Sequence, residues 1–293
     1  MPSDSDVLPD VLVKAIAPDV DLRIAAVVTT ELVREAASRH KLSAPAADAL
    51  GRALTSGLLL ATMTKGDERV TVQLIGDGPL GSLTVDANAE GDVRGYVRHP
   101  QANGSLGTHG SVNVTRDLGL RELYQGQVAM TSGSIDEDLE SYLHVSEQVP
   151  SAMVCDVVLD DEGRVVRAAG ILVQALPGGE PETVSGIKVH LHSGAMQSLL
   201  AAGDVSPKVL AERLLPSLKI EFLSDRPVRF KCKCSRERIR DTLHLLSVTE
   251  LDEMIEEGKD AEITCNFCNS VYKVDTAGLV EIRAEVAGPR EPN

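Results

Sequence analysis

Apolar positions recur along this chain with two different periods, and the places where the period changes divide it. Val11–Ala17 and Arg23–Val28 are short runs of β-prone residues. Thr30 then offers an N-cap for Glu31–His40, where Leu32, Val33, Ala36 and Ala37 share one face, so the spacing predicts an amphipathic helix. Ser43 caps a second helix from Ala44 to about Thr64, whose middle (Leu54–Ala61) is apolar on nearly every side except at Thr55, Ser56 and Gly57. A helix without a polar face belongs at the centre of a domain.

From Arg69 the period falls to two. Val70, Val72 and Leu74 alternate with Thr71 and Gln73, and runs at Ser82–Ala87 and Val93–Val97 follow after glycine- and asparagine-bearing turns, which predicts an antiparallel meander. Gly76-Asp77-Gly78-Pro79-Leu80-Gly81 has the spacing of a dinucleotide-binding loop, but such a loop must open a helix whose N-terminus receives a pyrophosphate. Here another strand follows and Asp77 would repel phosphate, so the stretch reads as a hairpin turn. Val112–Thr115 and Gln127–Met130 are further strands. Ser134-Ile135-Asp136-Glu137 is a capping box opening a helix that buries Ile135, Leu139, Tyr142 and Leu143. Met153–Leu159 and Val165–Val173 then flank a hairpin turn at Asp160-Asp161-Glu162-Gly163. Cys155, inside the first of these strands, reads as a small buried hydrophobe and not as a nucleophile. No Ser, His and acid grouping occurs at a motif spacing.

Composition shifts at Pro177-Gly178-Gly179-Glu180-Pro181. Two apolar-faced pieces follow, Met196–Ala202 and Pro207–Leu215, too brief to hold helical form unless they lie against something. His190 and His192 alternate as on a strand and read as surface positions, not metal ligands. The chain therefore reads as α+β in three parts: a mixed α/β domain with an antiparallel sheet and packed helices (1–176), a metastable helical linker (177–228) and a small C-terminal domain (229–293) that holds four of the five cysteines in two close pairs, a spacing that suits zinc binding.

Charge narrows the partners. At 293 residues and a formal net charge of −15, with 44 Asp and Glu against 29 Lys and Arg, the chain lacks the basic surface that phosphate backbones attract. Four tyrosines, three phenylalanines and no tryptophan leave few platforms for stacking bases. The acidic opening Met1-Pro2-Ser3-Asp4-Ser5-Asp6 is unlike a secretory signal, and no apolar run reaches the roughly 20 residues of a membrane span. Nucleic acid and membrane are not expected as partners, and a cytoplasmic location is.

The strongest chemical signal is in the last part. Cys232-Lys233-Cys234 is followed about thirty residues later by Cys265-Asn266-Phe267-Cys268. Two such pairs supply four soft thiolates, which suits one tetrahedral zinc ion with Zn–S distances of roughly 2.3 Å and no position left for substrate. Arg226, Arg229, Lys231, Lys233, Arg236, Arg238 and Arg240 crowd the first pair, and cations favour thiolate, which is both the better ligand and the more oxidisable form. Each pair can also close on itself, so zinc and oxidant compete for the same sulfurs. Structural zinc contributes on the order of 10–16 kcal/mol to folding in small metal domains, whereas a disulfide closing a loop this short constrains little. Oxidation should therefore unfold this domain.

Around the cysteines, Ser235 can cap a helix carrying Ile239, Leu243 and Leu246, and Thr249 another carrying Leu251, Met254 and Ile255 that Gly258 ends. Ile263–Val274 is expected to form a knuckle hairpin. The acidic run Glu250, Asp252, Glu253, Glu256, Glu257, Asp260 and Glu262 opposes the basic run at 226–240, and zinc would bring the two together. A thioredoxin-type site would want Cys265 at a helix N-terminus, and it sits between strand-like runs instead.

These residues resemble a known family. Phe230-x-Cys232-x-Cys234-Ser235-Arg236-Glu237-Arg238, Met254-Ile255-Glu256-Glu257 and Cys265-x-Phe267-Cys268 do so, together with Thr30-Glu31-Leu32-Val33, Gly51-Arg52-Ala53-Leu54, Lys65-Gly66-Asp67-Glu68, Gly76–Gly81, Gly95-Tyr96-Val97 and Ser146-Glu147-Gln148. The chain is similar over nearly its whole length to the redox-regulated 33 kDa heat-shock chaperones, the 33 kDa chaperonin family, least so across Glu180–Leu223. The resemblance implies a non-enzymatic, ATP-independent holdase, reduced, zinc-bound and inactive until oxidants form Cys232–Cys234 and Cys265–Cys268 disulfides. Zinc is then released, the linker unfolds, and a homodimer binds unfolding client proteins. The chain after Asp275 is short and polar, which counts against a final helix. Two other readings use the same residues: a constitutive zinc-ribbon adaptor for nucleic acid or protein, and a thiol oxidoreductase cycling through Cys265 and Cys268.

Overall fold

The computed structural model describes residues 9–119 and 123–288, so the acidic opening 1–6 lies outside the described residues. The chain divides into two compact units between Lys231 and Cys232. No helix among the described residues is long and apolar enough to cross a membrane.

The first unit is built around the helix without a polar face, α2 (Ala44–Ala61), which Ser43 caps by accepting a hydrogen bond from the Ala46 N–H. Before it run β1 (Val11–Ala17), β2 (Leu22–Val28) and α1 (Thr30–His40), and after it the meander β3 (Arg69–Gly76), β4 (Ser82–Asn88), β5 (Asp92–Val97), β6 (Gly110–Asp117) and β7 (Tyr124–Met130). Then come α3 (Ile135–Val145), β8 (Ser151–Leu159) and β9 (Val165–Ala175). Two largely antiparallel sheets result where the sequence suggested one: β1, β2, β9 and β8 in the first, and β5, β4, β3, β6 and β7 in the second. Helix α2 packs on β8 and β9 of the first and on β4 and β5 of the second.

Its small residues explain how one helix serves two sheets. A Cβ at Gly57 would meet Val85 on β4 at 2.6 Å, and one at Gly51 would meet Val33 and Val157 at 2.7 and 2.8 Å. Thr55, opposite Gly170 of β9, satisfies its hydroxyl on the Gly51 carbonyl and on Thr29, each at 2.8 Å. Leu50, Leu54, Leu58, Leu59 and Leu60 are all essentially inaccessible. Truncating one of them to alanine costs about 2–5 kcal/mol.

The hairpin turn at 76–81 packs on a neighbouring loop: Asp77 Oδ1 accepts from the Thr108 and His109 N–H groups at 3.1 and 3.2 Å, and a Cβ at Gly78 would meet backbone of Ser105 and Gly107 at 2.5 Å. Two caps differ from expectation because isolated carboxylates reach backbone donors that no motif marks. Thr30 is inside α1, and the first-turn N–H groups of Glu31 and Leu32 go to Asp10 at 3.2 and 2.6 Å. Ser134 forms no capping box; its hydroxyl donates to Asp136, while Asp138 gathers the N–H groups of Thr131, Ser132 and Gly133. Cys155 is fully buried, and burial pushes its thiol pKa up, as suits a packing residue.

The segment after Ala175 packs within this unit. It forms α4 (Pro181–His190), a π turn at Leu191–Ala195, α5 (Met196–Ala202), α6 (Pro207–Leu214) and β10 (Glu221–Pro227). Val184, Leu191, Met196, Leu200, Leu210 and Leu214 are buried in the same cluster as Ile24, Val154 and Ile171 of the first sheet. β10 pairs with β1 at the sheet's edge, and β11 (Arg229–Phe230) pairs in parallel with β5. Strand β10 had no sequence signal because it is nearly all exposed, with only Phe222 half-buried against the first sheet's cluster.

His190 and His192 are on helical turns, not a strand, and His192 has a specific partner. Glu140 of α3, 2% exposed, accepts from the Met153 N–H at 2.9 Å, from His192 Nε2 at 3.1 Å and from the Lys188 ammonium. Lys188 and His192 belong to α4 and the π turn, so one buried carboxylate ties this segment to α3. Burial works to raise the Glu140 pKa, but the bonds from His192, Lys188 and Met153 outweigh it and hold it below 4.5. The bond to Glu140, with Asp136 and Glu137 nearby, raises His192 above 6.5. Glu140 therefore contributes stability above pH 4.5 that is lost as pH falls through its lowered value, and His192 contributes below pH 6.5 what is lost as pH rises through its raised value. The tie is strongest between those two values. Amide protection factors across 183–195 should be higher at pH 6 than at pH 8.5, and His192→Ala should abolish the difference; equal protection in the unaltered chain would show that the tie is not felt.

Candidate metal centre

The second unit begins at Cys232. It holds α7 (Arg236–Leu243), α8 (Val248–Glu256), the hairpin β12 (Ala261–Thr264) and β13 (Val271–Val274), and α9 (Thr276–Ala287). Ser235 caps α7 by accepting from the Arg238 N–H. For α8 the cap is Ser247, not Thr249, and with Glu250 it completes a reciprocal capping box. Gly258, at φ 62°, follows α8 as expected. Helix α9 forms despite the polar look of the chain after Asp275: Asp275 caps it, and Leu279 and Ile282 fill the small core with Leu243, Leu251 and Ala261.

The charge runs are arranged differently from expectation, because α9 supplies the partners. Arg240 pairs with Glu285 at 2.5 Å, and Arg283 grips Asp252 through two bonds of 2.8 and 3.1 Å. These pairs are exposed, and solvent screening leaves each contributing little to stability. Five buried apolar residues and such pairs are a thin basis for a fold.

The four cysteines converge in this unit. Between β12 and β13, the Cys265 carbonyl accepts from the Cys268 and Asn269 N–H groups at 3.3 and 2.8 Å, and the Cys265 N–H donates to Ser270 at 2.9 Å. Asn269 takes the left-handed φ of 58° that closes this turn. Cys232 Sγ lies 3.7 Å from Cys265 Sγ, and Cys234 Sγ 3.3 Å from Cys268 Sγ. All four sulfurs fall within 4.8 Å of one another. A tetrahedron of Zn–S bonds near 2.3 Å has edges of about 3.8 Å, so the donor set fits a soft-ligand divalent ion such as zinc. It is the one group of three or more potential ligands found among the described residues.

Neither Cys234 nor Cys265 is lowered by the nearby cations. Burial first, then the neighbouring thiols, pushes Cys234 up to about 12 against the lowering effect of Tyr272, and burial raises Cys265. Arg229 and Lys231 are engaged by Asp92 of β5, and Arg240 by α9. A coordinating cation is what turns such thiols into thiolates. No motif marks Tyr272, whose hydroxyl donates to Cys234 Sγ at 3.0 Å.

A two-sheet α+β body followed by a small unit gathered on four thiols defines a particular class of protein, a fold with a cysteine cluster appended. The Hsp33 protein family model matches residues 10–275, and the chain belongs to that family. It is 38% identical over 286 residues to the 33 kDa chaperonin of Geobacillus kaustophilus (strain HTA426), covering 94% of this chain and 97% of the relative. It is 39% identical over 287 residues to the 33 kDa chaperonin of Bacillus cereus (strain AH187), covering 93% and 99%. The crystal structure of the 33 kDa chaperonin (heat shock protein 33 homolog) of Thermotoga maritima superposes with a TM-score of 0.85 at 30% identity, covering 94% of this chain and 98% of that one.

Metal analysis of reduced protein should find one ion per chain. Replacing any of Cys232, Cys234, Cys265 or Cys268 by serine should lower metal retention at least tenfold under chelator, while Cys155→Ala retains it. Full retention by one of the four variants would remove that sulfur from the site.

Proposed function

We propose that this chain is a redox-regulated, ATP-independent holdase whose switch is a single zinc ion held by Cys232, Cys234, Cys265 and Cys268. The observation that carries this reading is the convergence of those sulfurs, from two distant segments, in a unit whose hydrophobic cluster has five buried members among the described residues. Zinc supplies a closed structural cross-link and no chemistry on a substrate. Family membership supports the chaperone role and the binding of unfolding proteins.

Oxidation couples Cys232 with Cys234 and Cys265 with Cys268 and expels zinc. Within-pair disulfides sever the link between the two segments, whereas cross-pair disulfides would keep it. Severing it loosens the chain that enters the site through β10 and β11. The segment 177–228 then acts as a metastable linker: its leucines now lie against the first sheet, and on release they become an apolar surface of the kind that captures unfolding chains. The oxidised form works as a homodimer in the cytoplasm, with no nucleic-acid or membrane partner and no catalytic residue.

Peroxide-treated protein should suppress light scattering from a heat-aggregating client at near-stoichiometric amounts, and reduced, zinc-loaded protein should not. Mapping its peptides should find 232–234 and 265–268 linkages. Equal behaviour of the two forms would refute the switch, and 232–265 or 234–268 linkages would refute the severed clasp.

A further inference from the structure

The first half of the docked segment, 181–200, is thinly held. Its helices α4 and α5 have ten and seven residues, and neither has a side-chain N-cap. Gly194, at φ 84°, breaks the helical run between them, and a Cβ at Gly186 or Gly194 would meet nothing within 4 Å. Only Val184, Leu191, Met196 and Leu200 are buried in this half. Among the described residues, every side-chain tie from 181–199 to the rest of the unit runs to two glutamates of α3. Buried Glu140 takes the Lys188 ammonium on Oε1, and His192 Nε2 at 3.1 Å and the Met153 N–H at 2.9 Å on Oε2. Glu137, at the surface, lies 3.8 Å from His192 Nδ1. Arg167 of β9 takes over only at the end of this half, donating to the Leu200 carbonyl at 3.1 Å and to Asp204 at 2.7 Å.

From this arrangement we infer that Glu140 is a positioning residue that keeps the first half of the segment docked, so that losing this one charge releases that half, with its apolar face, while the metal stays bound. The client-binding part of the inference deepens the function proposed above and rests on it; the docking part stands without it. Once the carboxylate charge is gone, Lys188 has no other ion-pair partner among the described residues, and His192 keeps only Glu137. Four apolar anchors then stand against the entropy of ordering two short helices without side-chain caps. Residues 205–215 are anchored more densely, by Val205, Leu210, Ala211, Leu214 and Leu215 of the same cluster, and need no such tie.

Glu140→Gln keeps the side chain's shape and can still accept from the Met153 N–H. In the reduced, zinc-loaded, full-length variant, amide protection over 183–195 should fall about ten- to a hundredfold, the range for losing a hydrogen bond to a charged group. Protection of α2 and β9, metal content and free-thiol count should stay as they are, which general destabilisation of the unit would not allow. The same reduced variant should suppress light scattering from a heat-aggregating client, as the unaltered chain does only once oxidised. Lys188→Gln with His192→Gln removes the tie from the segment's side and should act alike, and adding Glu140→Gln to that pair should change little further, because all three act through one contact. Unchanged protection, a loss shared by α2 and β9, additive effects of the two sets or loss of metal each overturns the inference. Local loss of protection without client suppression, where the oxidised unaltered chain does suppress, overturns the link to the apolar face. If the oxidised unaltered chain fails as well, the redox reading has failed, and protection and additivity still decide whether Glu140 holds the segment.

Discussion

Two segments of the second unit are joined at a point where four sulfurs lie within 4.8 Å of one another. That convergence is the constraint on which the unit depends. Its apolar cluster holds five buried residues among those described, and the ion pairs of α9 lie at the surface. A core this small does not offset the conformational entropy of ordering the chain. A metal cross-link does, because its binding free energy becomes folding free energy where no site exists in the unfolded chain. Under the proposed switch, fold and metal occupancy would be one equilibrium, which oxidants would enter by competing for sulfur.

The first unit has no such dependence. Helix α2 is buried between two sheets, and its side chains are accommodated by glycines and small residues at the points of closest approach. Its stability is the sum of many ordinary contacts, none of them made by those four thiols. Against it lies a segment of short helices tied by one buried carboxylate, Glu140, and by leucines of the first sheet's cluster. Short helices hold their form only while docked. Under the proposed switch the same leucines would be core in one state and recognition surface in the other.

Much of this was legible beforehand, for physical reasons. Period-two alternation at 70–74 and the all-round apolar middle of α2 are signals that tertiary packing reinforces, and the strands and helix appear where they were expected. The cysteine spacing pointed to a four-sulfur site because few other uses put four thiols in two close pairs. What escaped has one common cause: it is made by single residues acting at a distance. Asp10, Asp138 and Glu140 satisfy backbone groups on other elements, and nothing local announces them. Strand β10 is held by its neighbour's backbone, α9 by two buried residues on an otherwise exposed helix, and Tyr272 reaches its sulfur only once the hairpin is folded. The cations around Cys232 and Cys234 misled in the opposite direction, since carboxylates of β5 and α9 engage several of them and burial governs the thiols.

Metal at these sulfurs is expected to hold the second unit folded while the first unit stands without it. Hydrogen exchange of the reduced chain after metal removal by a strong chelator tests this without any oxidant or client. Amides of α7, α8, β12, β13 and α9 should lose protection on metal removal while those of α2, β3 and β9 keep theirs. Retained protection in the second unit after the metal has gone would contradict the claim.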